Sequence, residues 1–212
     1  IYTSPHTLSL HDALPISGIR RTRAYVRTLI EYLLLQPAQR DRMPPEEWAL
    51  IAKCAPLHDI GKVGIPDQIL LKQGPLDAGE FAIMKQHTTL GRDALRTAEL
   101  RVDAHDPFLR IASEIVYSHH ERWDGTGYPQ GLYGEAIPLA ARLMAIADVY
   151  DALISKRVYK PAFPHNKAVE IITEGRGRHF DPLLVDCFLV CAETFNEIAE
   201  LHSDTPSAED NA

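Results

Sequence analysis

The sequence predicts an all-α fold, a bundle of about seven helices, on three observations. Apolar residues recur at three- and four-residue spacing along most of the chain, which gathers them on one face of a helix. No alternation of apolar and polar residues runs beyond a few positions, so strands have no signal. Proline and glycine fall between the periodic stretches, as at Pro44-Pro45, Pro66 and Gly74-Pro75, where they open or end helices. With 212 residues, 45% of them hydrophobic and 24% charged, the chain has the material for one core.

The first helix carries Tyr25, Val26, Leu29, Ile30, Leu33 and Leu34 on one face. Arg20, Arg21 and Arg23 are expected on its solvated side. Pro44 and Pro45 open the second helix, with Glu46 and Glu47 in its first turn beside the positive end of the dipole. It is expected to run through Trp48, Ile51, Cys54 and Leu57 to near Gly61. A third spans about 77–97, with Phe81, Met84, Leu90 and Leu95. Four more follow at about 107–120, 139–155, 165–174 and 181–201, and no internal repeat is present.

The two ends differ from the body. Residues 1–17 hold no sustained periodicity and lack the cationic start and apolar run of a signal peptide. The stretch 7–16 resembles a translated sequencing adapter, so 1–17 is expected to be a non-native, unstructured leader and its His11-Asp12 pair is set aside. Residues 203–212 are small, polar and acidic, the composition of a disordered tail. The domain is expected to occupy 18–202.

Composition excludes several classes. A formal net charge of -7, from 22 Lys+Arg against 29 Asp+Glu, argues against duplex DNA as a partner. No stretch approaches the ~18 uninterrupted apolar residues that cross a bilayer. Three cysteines, Cys54, Cys187 and Cys191, are too few for a disulfide framework and fit a reducing, cytoplasmic compartment. Cys187 and Cys191 read as core thiols, with no Cys or His pair at zinc spacing beside them. There is no nucleophile elbow, P-loop or dinucleotide-binding glycine motif.

What remains is an excess of histidine, ten in all, two of them in the leader. His58-Asp59, His87 and His119-His120 fall on helices or at helix ends, and Asp148 puts a carboxylate inside an otherwise apolar helix. Each alone has a simpler reading: His87 as a core histidine, Asp148 as a salt-bridge partner, and His119-His120 as neighbours pointing to different faces. Together they change the odds. A buried carboxylate is costly unless paired or coordinating, and imidazoles with carboxylates drawn from four helices are what a two-metal centre in a bundle requires.

The run His58-Asp59-Ile60-Gly61-Lys62-Val63-Gly64-Ile65-Pro66-Asp67, followed by His119-His120-Glu121-Arg122-Trp123-Asp124-Gly125-Thr126-Gly127-Tyr128-Pro129, resembles the HD-GYP family. These are bacterial phosphodiesterases of the HD superfamily that hydrolyse cyclic di-GMP, and the likeness extends over roughly 18–200. It implies an HD-domain-like fold with metal ligands at His58, Asp59, His87, His119, His120 and Asp148, Asp59 bridging two divalent ions, iron or manganese. It implies that Lys62 touches the scissile phosphate, that Asp59 and Lys62 carry the catalysis, and that Arg157 and Lys160 contact the dinucleotide. Gly127, Tyr128 and Pro129 would line the substrate beside the centre. Hydrolysis by a metal-activated hydroxide would give the linear dinucleotide, GMP, or both. Family habit adds an upstream receiver or sensory domain and diguanylate cyclase-type partners, with a homodimer left open.

One position departs from the pattern. The family carries a metal-binding histidine at the start of its first helix, where this chain has Gly18 in Gly18-Ile19-Arg20-Arg21-Thr22. Glycine offers no side-chain ligand, so one ion is expected to be held less well. Two alternatives follow: an impaired module that binds nucleotide or protein partners, or an HD hydrolase for another cyclic nucleotide. Retention of the six other ligand positions and Lys62 favours catalysis.

Overall fold

The computed structural model describes residues 16–100, 106–155 and 162–202. Within them the chain forms eleven α-helical segments and no strand. In order these are α1 (Ile16–Leu33), α2 (Pro37–Arg40), α3 (Pro45–Cys54), α4 (Asp67–Leu70), α5 (Ala78–Met84), α6 (His87–Glu99), α7 (Pro107–Ser118), α8 (Leu139–Ile154), α9 (His165–Glu174), α10 (Pro182–Val190) and α11 (Ala192–Leu201). Three 3-10 turns, Ala55–Leu57, Ile60–Gly64 and Gly134–Ala136, link them.

α8 is the axis. Every side chain from Ala140 to Asp148 is buried, the mark of a helix packed on all sides. It touches α1, α7, α9 and α10. Around it lie Tyr25, Leu29 and Leu33 of α1, Ile51 of α3, Ile111 and Ile115 of α7, Phe188 of α10 and Phe195 of α11, none more than 2% exposed. Burying each such side chain contributes roughly 1.5–3 kcal/mol, so the centre of the molecule is stiff. A smaller cluster of Ile65, Ile69, Leu76 and Met84 packs under α4 and α5.

The all-α expectation holds, and the count of about seven is corrected upward by two breaks and two short turns. The segment expected at 77–97 divides at Lys85 and Gln86. In an unbroken helix the Met84 carbonyl would accept from the Thr88 amide; here it takes His87 Nδ1 at 2.8 Å, and Thr88 N turns to Lys85 O. The segment expected at 181–201 divides at Cys191 in the same way. Cys191 Sγ donates to the Cys187 carbonyl at 3.3 Å while its amide goes to Phe188 O. The four-residue α2 and α4 carried too short a pattern to be read.

The second helix also ends early. It stops at Cys54 rather than near Gly61, because Pro56 has no amide to extend the ladder and the chain tightens into 3-10 turns. Arg21 is not on a solvated face. It is 3% exposed, with Nε 2.6 Å from Asp151 Oδ1 on α8 and Nη1 2.8 Å from the His202 carbonyl after α11. Position 21 shares a helix face with Tyr25 and Thr28, which α8 and α11 cover; Arg20 and Arg23 are exposed as expected. Cys187 and Cys191 are buried free thiols, as read. Ile16 and Ser17, assigned to the leader, belong to α1; residues 1–15 and 203–212 lie outside the described residues.

Candidate metal centre

The tight turns after α3 build the first part of the centre. Pro56 ends the helix, His58 follows the first 3-10 turn, and Asp59 opens the second. This second turn lies flat against α6 because two glycines meet there. A Cβ on Gly61 would fall 1.9 Å from the His87 carbonyl, and one on Gly91 would fall 2.5 Å from Val116 Cγ1. A side chain at Gly61 would push His58 and Asp59 away from His87, and one at Gly91 would press on Val116 of α7.

His87 is the first residue of α6, brought inward by the break before it. His119 and His120 come immediately after α7 ends at Ser118. Adjacent residues on a continuous helix diverge, but these two leave the helix, and their ring centroids are 4.0 Å apart. Asp148 projects from the middle of α8 and is 8% exposed.

Four of the expected ligands form one group. Asp59, His87, His119 and His120 each offer a donor atom, and all four atoms lie within 4.8 Å of one another. His58 and Asp148 stand beside them: His58 Nε2 is 3.2 Å from Asp59 Oδ2 and 3.7 Å from Asp148 Oδ1. His87 Nε2 is 3.5 Å from the other Asp59 oxygen. Asp59 therefore faces histidines on both sides, as a bridging carboxylate would.

Three of the rings have their tautomer set by the backbone. His58 Nδ1 is 2.9 Å from Ala55 O, His87 Nδ1 2.8 Å from Met84 O, and His119 Nδ1 3.0 Å from Ile115 O. A carbonyl only accepts, so each Nδ1 carries the proton and, in a neutral ring, Nε2 keeps its lone pair. Those Nε2 atoms, with His120 Nε2 and Asp59 Oδ1, are buried and have no hydrogen-bond partner. Each buried polar atom left unmade costs about 1–3 kcal/mol, and five at one point are an arrangement that a cation resolves. The donor set of imidazole and carboxylate without thiolate suits a divalent transition metal. The residues present fit the group that the family implies.

The electrostatics favour neutral, ligating rings at three of the four histidines. Burial, with repulsion from neighbouring imidazoles, holds His119 and His120 well below the ordinary histidine range, and burial lowers His87. These three rings stay neutral and available as donors. Burial opposes a charge on His58 as well, but Asp59 and Asp148 outweigh it and raise that imidazole to about 9. Burial also opposes the Asp59 carboxylate, yet Lys62, His58 and His87 hold it well below the usual range, so it is ionised. Lys62 Nζ lies 2.6 Å from Asp59 Oδ2.

The 119–129 run folds back over the centre. Tyr128 N donates to His120 O at 3.2 Å, and the Tyr128 ring stacks on the His120 ring at 4.8 Å and 28°. Phe81 of α5 meets the same tyrosine edge-on at 6.2 Å. Gly127 is pressed onto the backbone of 121–122, where a Cβ would lie 2.3 Å from Arg122 N. Pro129 is exposed. Gly18 is buried in the first turn of α1, its carbonyl accepting from Thr22 Oγ1 at 3.0 Å. Arg157 and Lys160 lie outside the described residues.

Two supporting groups went unread in the sequence. Glu121 is 2% exposed and bonds two backbone amides of the loop. Arg142 on α8 joins Asp181 at 2.6 Å and the Ile137 carbonyl at 2.9 Å, with the Trp123 ring 5.8 Å away. Only the place of Glu121, directly after two histidines, could have drawn notice. Arg142 offers no such signal.

A family model described as an HD domain matches residues 7–184. The chain belongs to the HD domain family. The motif at His58-Asp59 and the 119–129 run mark it as an HD-GYP member, as the sequence implied. It is 55% identical over 186 residues to a Vibrio cholerae protein named cyclic di-GMP phosphodiesterase, covering 88% of this chain and 38% of that one. A second V. cholerae protein, named 3′3′-cGAMP-specific phosphodiesterase 2, is 40% identical over 187 residues, covering 88% of this chain and 34% of that one. The chain thus spans between a third and two-fifths of the length of these relatives. The crystal structure of a V. cholerae cyclic GMP-AMP specific phosphodiesterase superposes with a TM-score of 0.59 at 21% identity, covering 95% of this chain and 52% of that one. That likeness is one of fold.

Proposed function

We propose that the chain is the phosphodiesterase module of a signalling protein, opening cyclic di-GMP to the linear dinucleotide and onward to GMP. The observation that carries the reading is the convergence of four orphaned, buried imidazole nitrogens on an ionised Asp59 that Lys62 already touches.

In this reading His87, His119, His120 and Asp59 hold one divalent ion, and Asp59, His58 and Asp148 a second, iron or manganese in each case. Bound cations supply Lewis acidity toward the phosphoryl oxygens and lower the pKa of the attacking water. The protein supplies the rest. The backbone carbonyls of Ala55, Met84 and Ile115 fix three imidazole rings so that no reorientation accompanies binding. Lys62, on the same turn as Asp59, places a positive charge where a phosphoryl oxygen gains negative charge. Tyr128 and Phe81 wall the centre and keep bulk water from that side. No helix among the described residues is long and apolar enough to cross a membrane, and the module is read as cytoplasmic.

A second substrate is favoured by one observation: a relative at 40% identity is named for 3′3′-cGAMP. Initial rates on cyclic di-GMP, 3′3′-cGAMP and 3′,5′-cyclic GMP, with metal analysis of the same sample, test the proposal. At least tenfold faster opening of cyclic di-GMP is expected. Preference for 3′3′-cGAMP would overturn the substrate, and a metal-loaded protein that cleaves none of the three would overturn the activity. Gly18→His is expected to raise the bound metal per chain toward two.

A further inference from the structure

We propose that Glu121 is a positioning residue: it lies outside the four-donor group, and its carboxylate sets the 127–132 loop so that Tyr128 is held against His120. The inference rests on the phosphodiesterase reading for its kinetic consequence, and on geometry alone for the rest.

Glu121 is buried, and its two oxygens each take one backbone amide from the far arm of the loop. Oε1 accepts from Gln130 N at 2.7 Å and Oε2 from Leu132 N at 3.0 Å. A carboxylate taken out of water needs such partners, and charge-assisted bonds to amides are the strong kind. The near arm is held differently. Gly127 lies on the backbone of residue 121 itself, where a Cβ would be 2.5 Å from Glu121 Cα, and Tyr128 N reaches back to His120 O. Tyr128 sits between these two anchorages, one made by the main chain of Glu121 and one by its side chain.

The stem of the loop is closed independently. Gly134 N donates to Trp123 O at 3.0 Å, and Trp123 N and Asp124 N donate to His179 O and Arg178 O. Loss of the Glu121 side chain therefore releases the tip that carries Tyr128 and leaves the stem docked. The ring that loosens is the one stacked on His120. Glu121 acts on the substrate pocket through Tyr128, with no contact to the reacting atoms.

The test compares Glu121→Ala, Glu121→Gln, Tyr128→Ala and the double variant Glu121→Ala/Tyr128→Ala. Zinc, a diamagnetic ion, is loaded as the probe. The His120 ring protons feel the ring current of Tyr128, so their NMR shift reports the stack directly. Glu121→Ala is expected to move the His120 signals in the direction Tyr128→Ala does, by at least half as far, with bound zinc and the His87 and His119 signals unchanged. Glu121→Gln, which keeps the volume and one acceptor, should fall between wild type and Glu121→Ala, and it decides the matter should the alanine variant not fold. On cyclic di-GMP, both alanine variants should raise KM about tenfold with kcat within about threefold, and the double variant should be no worse than Tyr128→Ala alone. Unmoved His120 signals in the Glu121 variants, or losses that multiply in the double variant, would overturn the assignment. A wild-type protein inactive on cyclic di-GMP would sink the substrate reading, while the His120 shifts would still decide for or against Glu121.

Discussion

The ammonium of Lys62 stands 2.6 Å from Asp59 Oδ2, one 3-10 turn further along the chain, with only 9% of the lysine exposed. The same carboxylate turns its other oxygen to His87 at 3.5 Å. Lys62 thus occupies the side of Asp59 that His58 also faces, and its charge lies at the edge of the donor group.

Lys62→Met should separate binding from turnover. Removing one positive contact to a developing charge costs about 10²–10³ in kcat. The four-donor group keeps every atom, so metal content should match wild type. Elemental analysis beside steady-state rates checks this, and metal lost in proportion to activity would show that Lys62 is structural.

Chelation should destabilise the protein. A cation that binds the folded chain alone adds about 2.7–4.1 kcal/mol at 100 to 1,000 times its Kd. Thermal melting with and without chelator should differ accordingly. In His119→Ala that difference should shrink markedly, because one of the four converging donors is gone.

The Arg21–Asp151 pair predicts a large stability effect far from the chemistry. Both side chains are buried, and the arginine also holds the His202 carbonyl. Arg21→Met leaves Asp151 buried without its main partner and should cost about 3–5 kcal/mol in denaturant unfolding. Adding Asp151→Leu should restore most of it. A loss below 1 kcal/mol in the single variant would contradict the burial of the pair.

His179 gives the pH dependence. Its ring stacks on Phe180 at 4.1 Å, and burial, then the nearby Arg122 charge, lowers its pKa to about 3. The unfolded value is near 6.5, so between the two the unfolded chain binds the proton and stability rises with pH. The contribution is complete above about 6.5 and is lost as pH falls toward 3. NMR titration should find this ring neutral at pH 5, and His179→Asn should remove on the order of 1 kcal/mol of the stability difference between pH 7 and pH 5.

How much of this was readable in the chain depends on whether the signal was local. Helical periodicity is local, and α1, α7, α8 and α9 fall where the spacing put them. The expected ligands were legible because histidine and aspartate are rare in apolar stretches, and four of them, Asp59, His87, His119 and His120, form one group. The breaks at Gln86 and Cys191 were not legible, since no proline or glycine marks them. In each, a side chain takes the carbonyl that an amide would otherwise have used, a competition that spacing cannot reveal. Arg21 was misjudged because a charge on a helix is solvated unless a distant element covers it, and α8 and α11 are 130 and more residues away. Glu121 and Arg142 were passed over for the same reason: their partners lie in loops whose approach no pattern announces.

The carbonyl bonds of His58, His87 and His119 have a consequence for the whole bundle. Each ring is tied to the turn just before it, so it travels with that turn and cannot swivel to compensate for a neighbour's displacement. The distances among the nitrogens are then the distances among the 3-10 turn, α6 and α7 themselves. Coordination tolerates errors of about half an ångström. The centre therefore works as a gauge of helix packing: a small slip of α6 along α7 is registered by every donor together, and a cation seated there locks the register of the elements that surround it.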